Sequence, residues 1–168
     1  MGNVISVAQP PFTTTSGPKT TSANNTTASI SLFTITGSVR VESLSGVVTT
    51  VLSSNHTAAH WRLNDGTNTP AVTLATGTTL SSANVGSVIQ KKGLAGAALV
   101  LAQGDEARVP EHATSGLAPD VPFVLVAKNG ATTTLEYRYS TTNAPATGAI
   151  QFFIEWNRLS DDGSVTPV

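Results

Sequence analysis

Apolar and polar residues alternate with a period of two along most of the chain from Ser29 onward. In the final apolar segment, Ile150, Phe152, Ile154 and Trp156 fall on one side, and most of the residues between them are polar. This is the period of a half-buried β-strand. No segment gives a convincing helical pattern, so the sequence predicts an all-β protein.

The alternation predicts about eight to ten short antiparallel strands with turn-forming residues between them. The predicted strands cover residues 30–36, 39–44, 47–52, 57–63, 70–74, 85–90, 97–102, 121–128, 132–140 and 148–157. Gly46 marks a predicted turn between the second and third strands. Asn129-Gly130 is a strong hairpin signal. Many short strands without helices indicate an antiparallel β-sandwich or jelly roll.

Two segments lack this pattern. Residues 1–28 are predicted to form an extended N-terminal arm, and residues 29–168 the β-sandwich domain. The arm is rich in Thr, Ser and Asn and has almost nothing to bury, so it is either disordered or laid along a partner. Deletion of this arm is expected to leave the fold intact and to weaken attachment to such a partner. Residues 106–120 are predicted to form a long surface loop that makes contacts.

Composition narrows the function classes. Charged residues make up 11% of the 168 residues, the net charge is −1 and cysteine is absent. Low charge suits a surface largely covered by neighbouring subunits. Without a basic stripe, a disulfide framework or an apolar run of about 20 residues, we expect no nucleic-acid partner, no thiolate metal site and no membrane span. The first residues lack a secretory signal pattern.

The two histidines at positions 56 and 60 have the spacing that places metal ligands on one face of a helix. On a strand, the same spacing separates their Cα atoms by about 13 Å. We therefore expect His56 and His60 to be exposed polar residues near a turn. His112 lies in the predicted loop and carries no ligand signal.

Glu136 and Glu155 lie on the last two predicted strands and could face each other, as the carboxylates of a glycosidase do. Each alternates with core residues, so the favoured interpretation is an outward position, with an Arg138–Glu155 ion pair across the strands. Asp161-Asp162-Gly163 fits a turn better than a calcium loop. No nucleophile elbow or phosphate-binding glycine motif is present. We predict no enzyme activity and no catalytic, cofactor-binding or metal-binding residues.

Two stretches resemble a group of small structural virion proteins of tailed bacteriophages. Residues 32–50, with Thr36-Gly37 followed by an alternating Val strand, resemble the opening of those proteins. Residues 147–165, with an aromatic strand followed by Arg158-Leu-Ser-Asp-Asp-Gly, resemble their C-terminus. The match covers about a quarter of the chain and contains scaffold motifs without catalytic residues.

The resemblance implies a head decoration (cement) protein, a β-sandwich or jelly-roll trimer on the capsid exterior. Its partners would be the major capsid protein and two further copies of itself, after assembly in the host cytoplasm. The alternative function is a tail or fibre module that binds host-surface glycans. That function needs exposed aromatic residues, and Trp61 and Trp156 are both predicted to face inward. A third hypothesis, a polysaccharide-cleaving enzyme, depends on Glu136 and Glu155.

Overall fold

A computed structural model of the protein describes residues 10–24, 26–67, 72–92, 97, 99–102, 121–141 and 144–168. These residues contain eleven strands and no helix. The strands are β1 (Phe12–Thr21), β2 (Thr27–Thr36), β3 (Ser38–Thr50), β4 (Thr57–Asn64), β5 (Val72–Thr73), β6 (Val88–Lys91), β7 (Leu99–Ala102), β8 (Phe123–Val126), β9 (Thr133–Ser140), β10 (Gly148–Arg158) and β11 (Ser164–Pro167). The predicted contact loop at residues 106–120, with His112, lies outside the described residues.

The strands form two antiparallel sheets. Sheet 1 has the order β1-β10-β3-β6-β7, and β8 pairs with the first part of β3. Sheet 2 has the order β11-β2-β9-β4-β5. The predicted all-β class and antiparallel sandwich are confirmed. The predicted strand at residues 97–102 is present as β7 (Leu99–Ala102).

The inward residues of the two sheets meet in one core. Trp61 of sheet 2 and Phe152 of sheet 1 have ring centroids 6.4 Å apart, and Tyr137 lies 5.1 Å from the same Phe152 ring. Leu135, Tyr137, Ile154 and Trp156 are also buried, as their alternation predicted. Burying a large apolar side chain contributes about 1.5–3 kcal/mol, so this inter-sheet layer is the main source of stability.

The predicted turn at Gly46 is wrong, because β3 continues through it for 13 residues. Gly46 lies opposite Phe152 in the ladder with β10. A Cβ at this position would lie 2.9 Å from the Ile150 side chain and 3.1 Å from the Phe152 ring. The glycine is therefore needed for the close approach of two large side chains, and it does not mark a reversal of the chain.

The predicted N-terminal arm is also wrong for residues 12–21. They form β1, which pairs antiparallel with β10 from Phe12 opposite Trp156 to Thr21 opposite Gly148. Residues 1–9 lie outside the described residues. Because β1 completes sheet 1, a deletion of residues 1–28 removes a paired strand, and the expectation that it leaves the fold intact no longer holds.

The Asn129-Gly130 turn does not close a hairpin. β8 pairs with β3 in sheet 1, whereas β9 pairs with β2 and β4 in sheet 2. The turn therefore carries the chain from one sheet to the other. It is fixed locally by the Lys128 N–H, which donates to the Thr133 hydroxyl at 2.9 Å. The C-terminal strand β11 was not predicted from the sequence.

Candidate functional site

Two turns that are distant in sequence form a single unit, which we call the turn cluster (residues 36–38 and 158–163). The Ser38 N–H donates to the Ser160 hydroxyl at 2.8 Å, and the Leu159 N–H donates to the Ser38 carbonyl at 3.0 Å. Gly37 has a φ of 57°, and a Cβ there would collide with the side chains of Ser160 and Asp162. Both the backbone angle and the close packing require glycine.

A surface groove of about 560 Å³ lies between the turn cluster and the Asn129-Gly130 turn. Its lining residues are mostly threonine, alanine and glycine, with Lys128 and Asp162 as the charged residues. Lys128 is already engaged, because its ammonium lies 3.6 Å from an Asp65 oxygen and donates to the Thr67 hydroxyl. The threonine and asparagine side chains of this lining can form hydrogen bonds with an extended polypeptide.

A second, apolar depression of about 410 Å³ lies on one side of the sandwich, where the edge strands β5 and β8 approach each other. Leu63, Val72 and Val126 line it. Val72, Val124 and Val126 form what we call the valine edge, and each is more than half exposed. Exposed apolar patches mark interaction surfaces. In the sequence, the signal for this edge is the unbroken apolar run of residues 123–126. A strand with one buried face needs only every second residue to be apolar.

The prediction that His56 is exposed is wrong. Its ring is fully buried immediately before β4, hydrogen-bonded to the Tyr137 hydroxyl at 2.7 Å and stacked on Tyr139 with centroids 4.5 Å apart. Burial lowers the pKa of His56 to about 4 and raises that of Tyr137 well above its ordinary value. His60 lies outside the core, and its Nδ1–H donates to the Ala58 carbonyl at 2.8 Å. The two rings do not form a metal site.

Glu136 and Glu155 do not meet, because β9 and β10 belong to different sheets and both side chains alternate with core residues. They therefore point from opposite outer faces of the sandwich. This separation also rules out the predicted Arg138–Glu155 ion pair. Glu155 accepts a hydrogen bond from the Ser43 hydroxyl at 3.1 Å instead.

Glu136 is outward, as predicted, yet only 6% exposed. Its carboxylate accepts hydrogen bonds from Arg62 Nε at 2.6 Å and from the Asn64 amide at 2.8 Å. These partners come from the adjacent strand β4, which brings Arg62 opposite Glu136. The carboxylate is neutralised within the sheet, so its arrangement is that of a structural ion pair.

Within the described ranges, no three His, Asp or Glu side chains are grouped so that they could hold a metal ion. In the same part of the chain, no helix has the length and apolar character needed to cross a membrane. Trp61 and Trp156 are both buried, as predicted. Comparisons with protein-family models, curated proteins and solved structures found no match.

Proposed function

We propose that this chain is a structural virion protein that decorates and cements the capsid of a tailed bacteriophage, acting as a trimer on the capsid exterior. The observation that carries the proposal is how the two virion-like segments are placed. Residues 32–50 contain the second half of β2 and all of β3, and residues 147–165 contain β10 and the start of β11. β3 pairs with β10 along most of both strands, and β2 pairs with β11.

The virion-like motifs meet at the turn cluster as well. Thr36-Gly37 belongs to one of its turns, and the Arg158-Leu-Ser-Asp-Asp-Gly motif forms the other. The two segments, separated by about a hundred residues, are thus joined by hydrogen bonds into one framework that includes strands of both sheets. Because the segments that resemble virion proteins form this framework, they support the same scaffold in this chain. The decoration function is inferred from that resemblance.

The surface chemistry is compatible with cementing. A clamp on a shell needs buried contact area, typically about 1,600 Å² for a stable interface, and repeated attachment multiplies modest contacts. The valine edge supplies exposed apolar surface, and the groove beside the turn cluster supplies hydrogen-bonding groups. The major capsid protein and further copies of this chain are the proposed partners.

The alternatives have less support. Glycan binding relies on exposed aromatic rings, whereas the rings of both tryptophans are within the core. Phe153 is the aromatic residue on the outer side of β10, and it is half-buried. The polysaccharide-cleaving hypothesis loses the carboxylate pair on which it depended, because Glu136 and Glu155 occupy opposite faces.

Quantitative mass spectrometry of purified virions tests the proposal. A cement protein is expected at a copy number comparable to that of the major capsid protein. Absence from the virion, or a few copies per particle as for a tail component, would refute the cement function.

Add-back of purified protein to capsids that lack it would identify the attached face. Three exposed positions report on three faces: Glu155 on the outer side of sheet 1, Val72 on the valine edge and Leu159 in the turn cluster. The variants Glu155→Arg, Val72→Asp and Leu159→Asp should fold like the parent, because all three side chains are exposed. The variant that loses capsid occupancy marks the attached face, and full occupancy by all three would exclude these faces.

A further inference from the structure

Strand β1 is held to the molecule by its backbone far more than by its side chains. Among residues 12–21, Thr21 alone is buried. The ladder to β10 supplies the pairing, and side-chain hydrogen bonds are made both in the N-terminal tip, residues 12–15, and beyond it. Because none of residues 12–15 is itself buried, detaching this tip exposes less apolar surface than detaching a central strand.

The pairing of β1 with β10 is interrupted immediately after the tip. The pairing register shifts between Thr15 and Pro18, Gly17 has a φ of 70° and proline has no N–H to donate. The Ser16 hydroxyl replaces a missing backbone partner by accepting the Phe152 N–H at 3.2 Å. Short hinges of this kind favour exchange of a segment between copies.

The remainder of β1 is anchored beyond this interruption. The N–H groups of Ser22 and Ala23 donate to the Tyr139 hydroxyl at 3.2 and 3.3 Å, and the Ala146 N–H donates to the Ala23 carbonyl at 2.8 Å. Movement at the hinge can therefore release the tip while the anchored part keeps its place.

The surface that the tip covers is specific. The Phe12 ring stacks on Trp156 at 4.8 Å, and the Trp156 Nε1–H donates to the Thr14 hydroxyl at 3.0 Å. When the tip leaves, the indole loses both its aromatic cover and its hydrogen-bond acceptor. A replacement must present an aromatic ring and a hydroxyl two residues apart on an extended strand, and the tip of a second copy does so.

We propose that residues 12–15 are an exchangeable strand tip that leaves its own Trp156 and occupies the same site on a second copy of the chain. The exchanged contacts are identical to the original ones, which makes this route to association low in energetic cost. A net charge of −1 gives little repulsion between copies. The inference concerns self-association and does not depend on attachment to a capsid.

The absence of cysteine allows a direct test. Thr13 and Glu155 are exposed register partners on β1 and β10. Chains carrying only Thr13→Cys are mixed with chains carrying only Glu155→Cys at high concentration, oxidised mildly and separated on a non-reducing gel. A disulfide between the two variants can form in register only when a tip lies on the β10 of another copy.

The matched control replaces the second variant with Val72→Cys, which is exposed at a distant edge. We expect about tenfold more cross-chain disulfide for the register pair than for the control, because exchange raises the effective concentration of the thiols. The double variant T13C/E155C should form the bond within one chain when it is oxidised at low concentration, and between chains at high concentration, where the tips are exchanged. Equal cross-chain yields for the register pair and the control would overturn the proposal. A tip that pairs only with a capsid subunit would also give equal yields, because the mixture contains no capsid protein.

Discussion

β1 and β3 flank the same strand, β10, and both pair with it antiparallel, yet different forces hold them. Ile154 shows the contrast directly, because it lies opposite Thr14 on one side and Leu44 on the other. β3 buries Val41, Leu44 and further apolar side chains in the core, whereas β1 contributes chiefly backbone hydrogen bonds. Each such bond contributes about 0.5–1.5 kcal/mol net, so the comparison separates a strand fixed by burial from one fixed by its ladder.

The largest expected effect comes from truncating Leu44, one of the two residues that lie opposite Ile154. Leu44→Ala should lower the free energy of unfolding by about 2–5 kcal/mol, because it leaves a cavity in the core. Thr14→Ala should cost about 1 kcal/mol, since it removes the acceptor of the Trp156 N–H. Urea unfolding followed by circular dichroism measures both. Equal losses would show that β1 is as deeply integrated as β3.

Acid should destabilise the protein through the buried His56. The pKa of His56 is about 4 in the folded protein and about 6.5 when unfolded. Between these values the unfolded chain binds the proton and the native state does not. The contribution of the neutral His56 ring to the free energy of unfolding is therefore present above pH 6.5 and is lost as the pH falls towards 4. The expected loss is about 2–3 kcal/mol.

Unfolding free energies across this pH range measure the effect of His56. His56→Gln should flatten the dependence, whereas His60→Gln, outside the core, should retain it. A parent protein whose stability does not change between pH 6.5 and 4 would argue against the neutral buried ring.

The turn cluster offers a smaller perturbation at the point where β3 begins. Gly37→Ala should destabilise the protein by about 1–3 kcal/mol through its left-handed backbone and the collision with Ser160 and Asp162. Gly130→Ala is the matched control, since Gly130 has a φ of 74° and open space around it. Thermal unfolding should therefore show a larger loss for Gly37→Ala, and identical losses would mean that packing in the cluster contributes nothing.

Phe12→Ala should have the smallest effect on global stability, about 0.5–1.5 kcal/mol, because stacked aromatic pairs contribute in that range. Its clearer consequence is local, since Trp156 loses the ring that covers it. We expect a red shift in tryptophan fluorescence, with Trp61 unaffected in the core. An unchanged spectrum would show that the tip does not shield Trp156.

The sequence predicted the parts of the fold that burial determines. The alternation around Phe152 and Tyr137 identifies inward positions, because successive side chains of one strand point to opposite faces of the sheet. It could not predict β1, since a backbone ladder can be made by a segment of almost any composition. Gly46 was mistaken for a turn because the reason for that glycine, the Phe152 ring, lies about a hundred residues away.

The same limit applies to the polar candidates. The burial of His56 depends on the Tyr137 hydroxyl, and that of Glu136 depends on Arg62 and Asn64. These partners come from other strands, so their proximity follows from strand order and register. The Asn129-Gly130 signal correctly marked a reversal, but its local chemistry does not determine which sheet each flanking strand joins.

Native-state hydrogen exchange gives the most direct test of the contrast between β1 and β3. The account predicts that the hydrogen-bonded amides of residues 12–15 exchange through local opening, with a free energy well below that of unfolding and little dependence on denaturant. Hydrogen-bonded amides of the central part of β3 should exchange only on global unfolding. Tip amides that exchange with the same free energy and denaturant dependence as those of β3 would contradict the account.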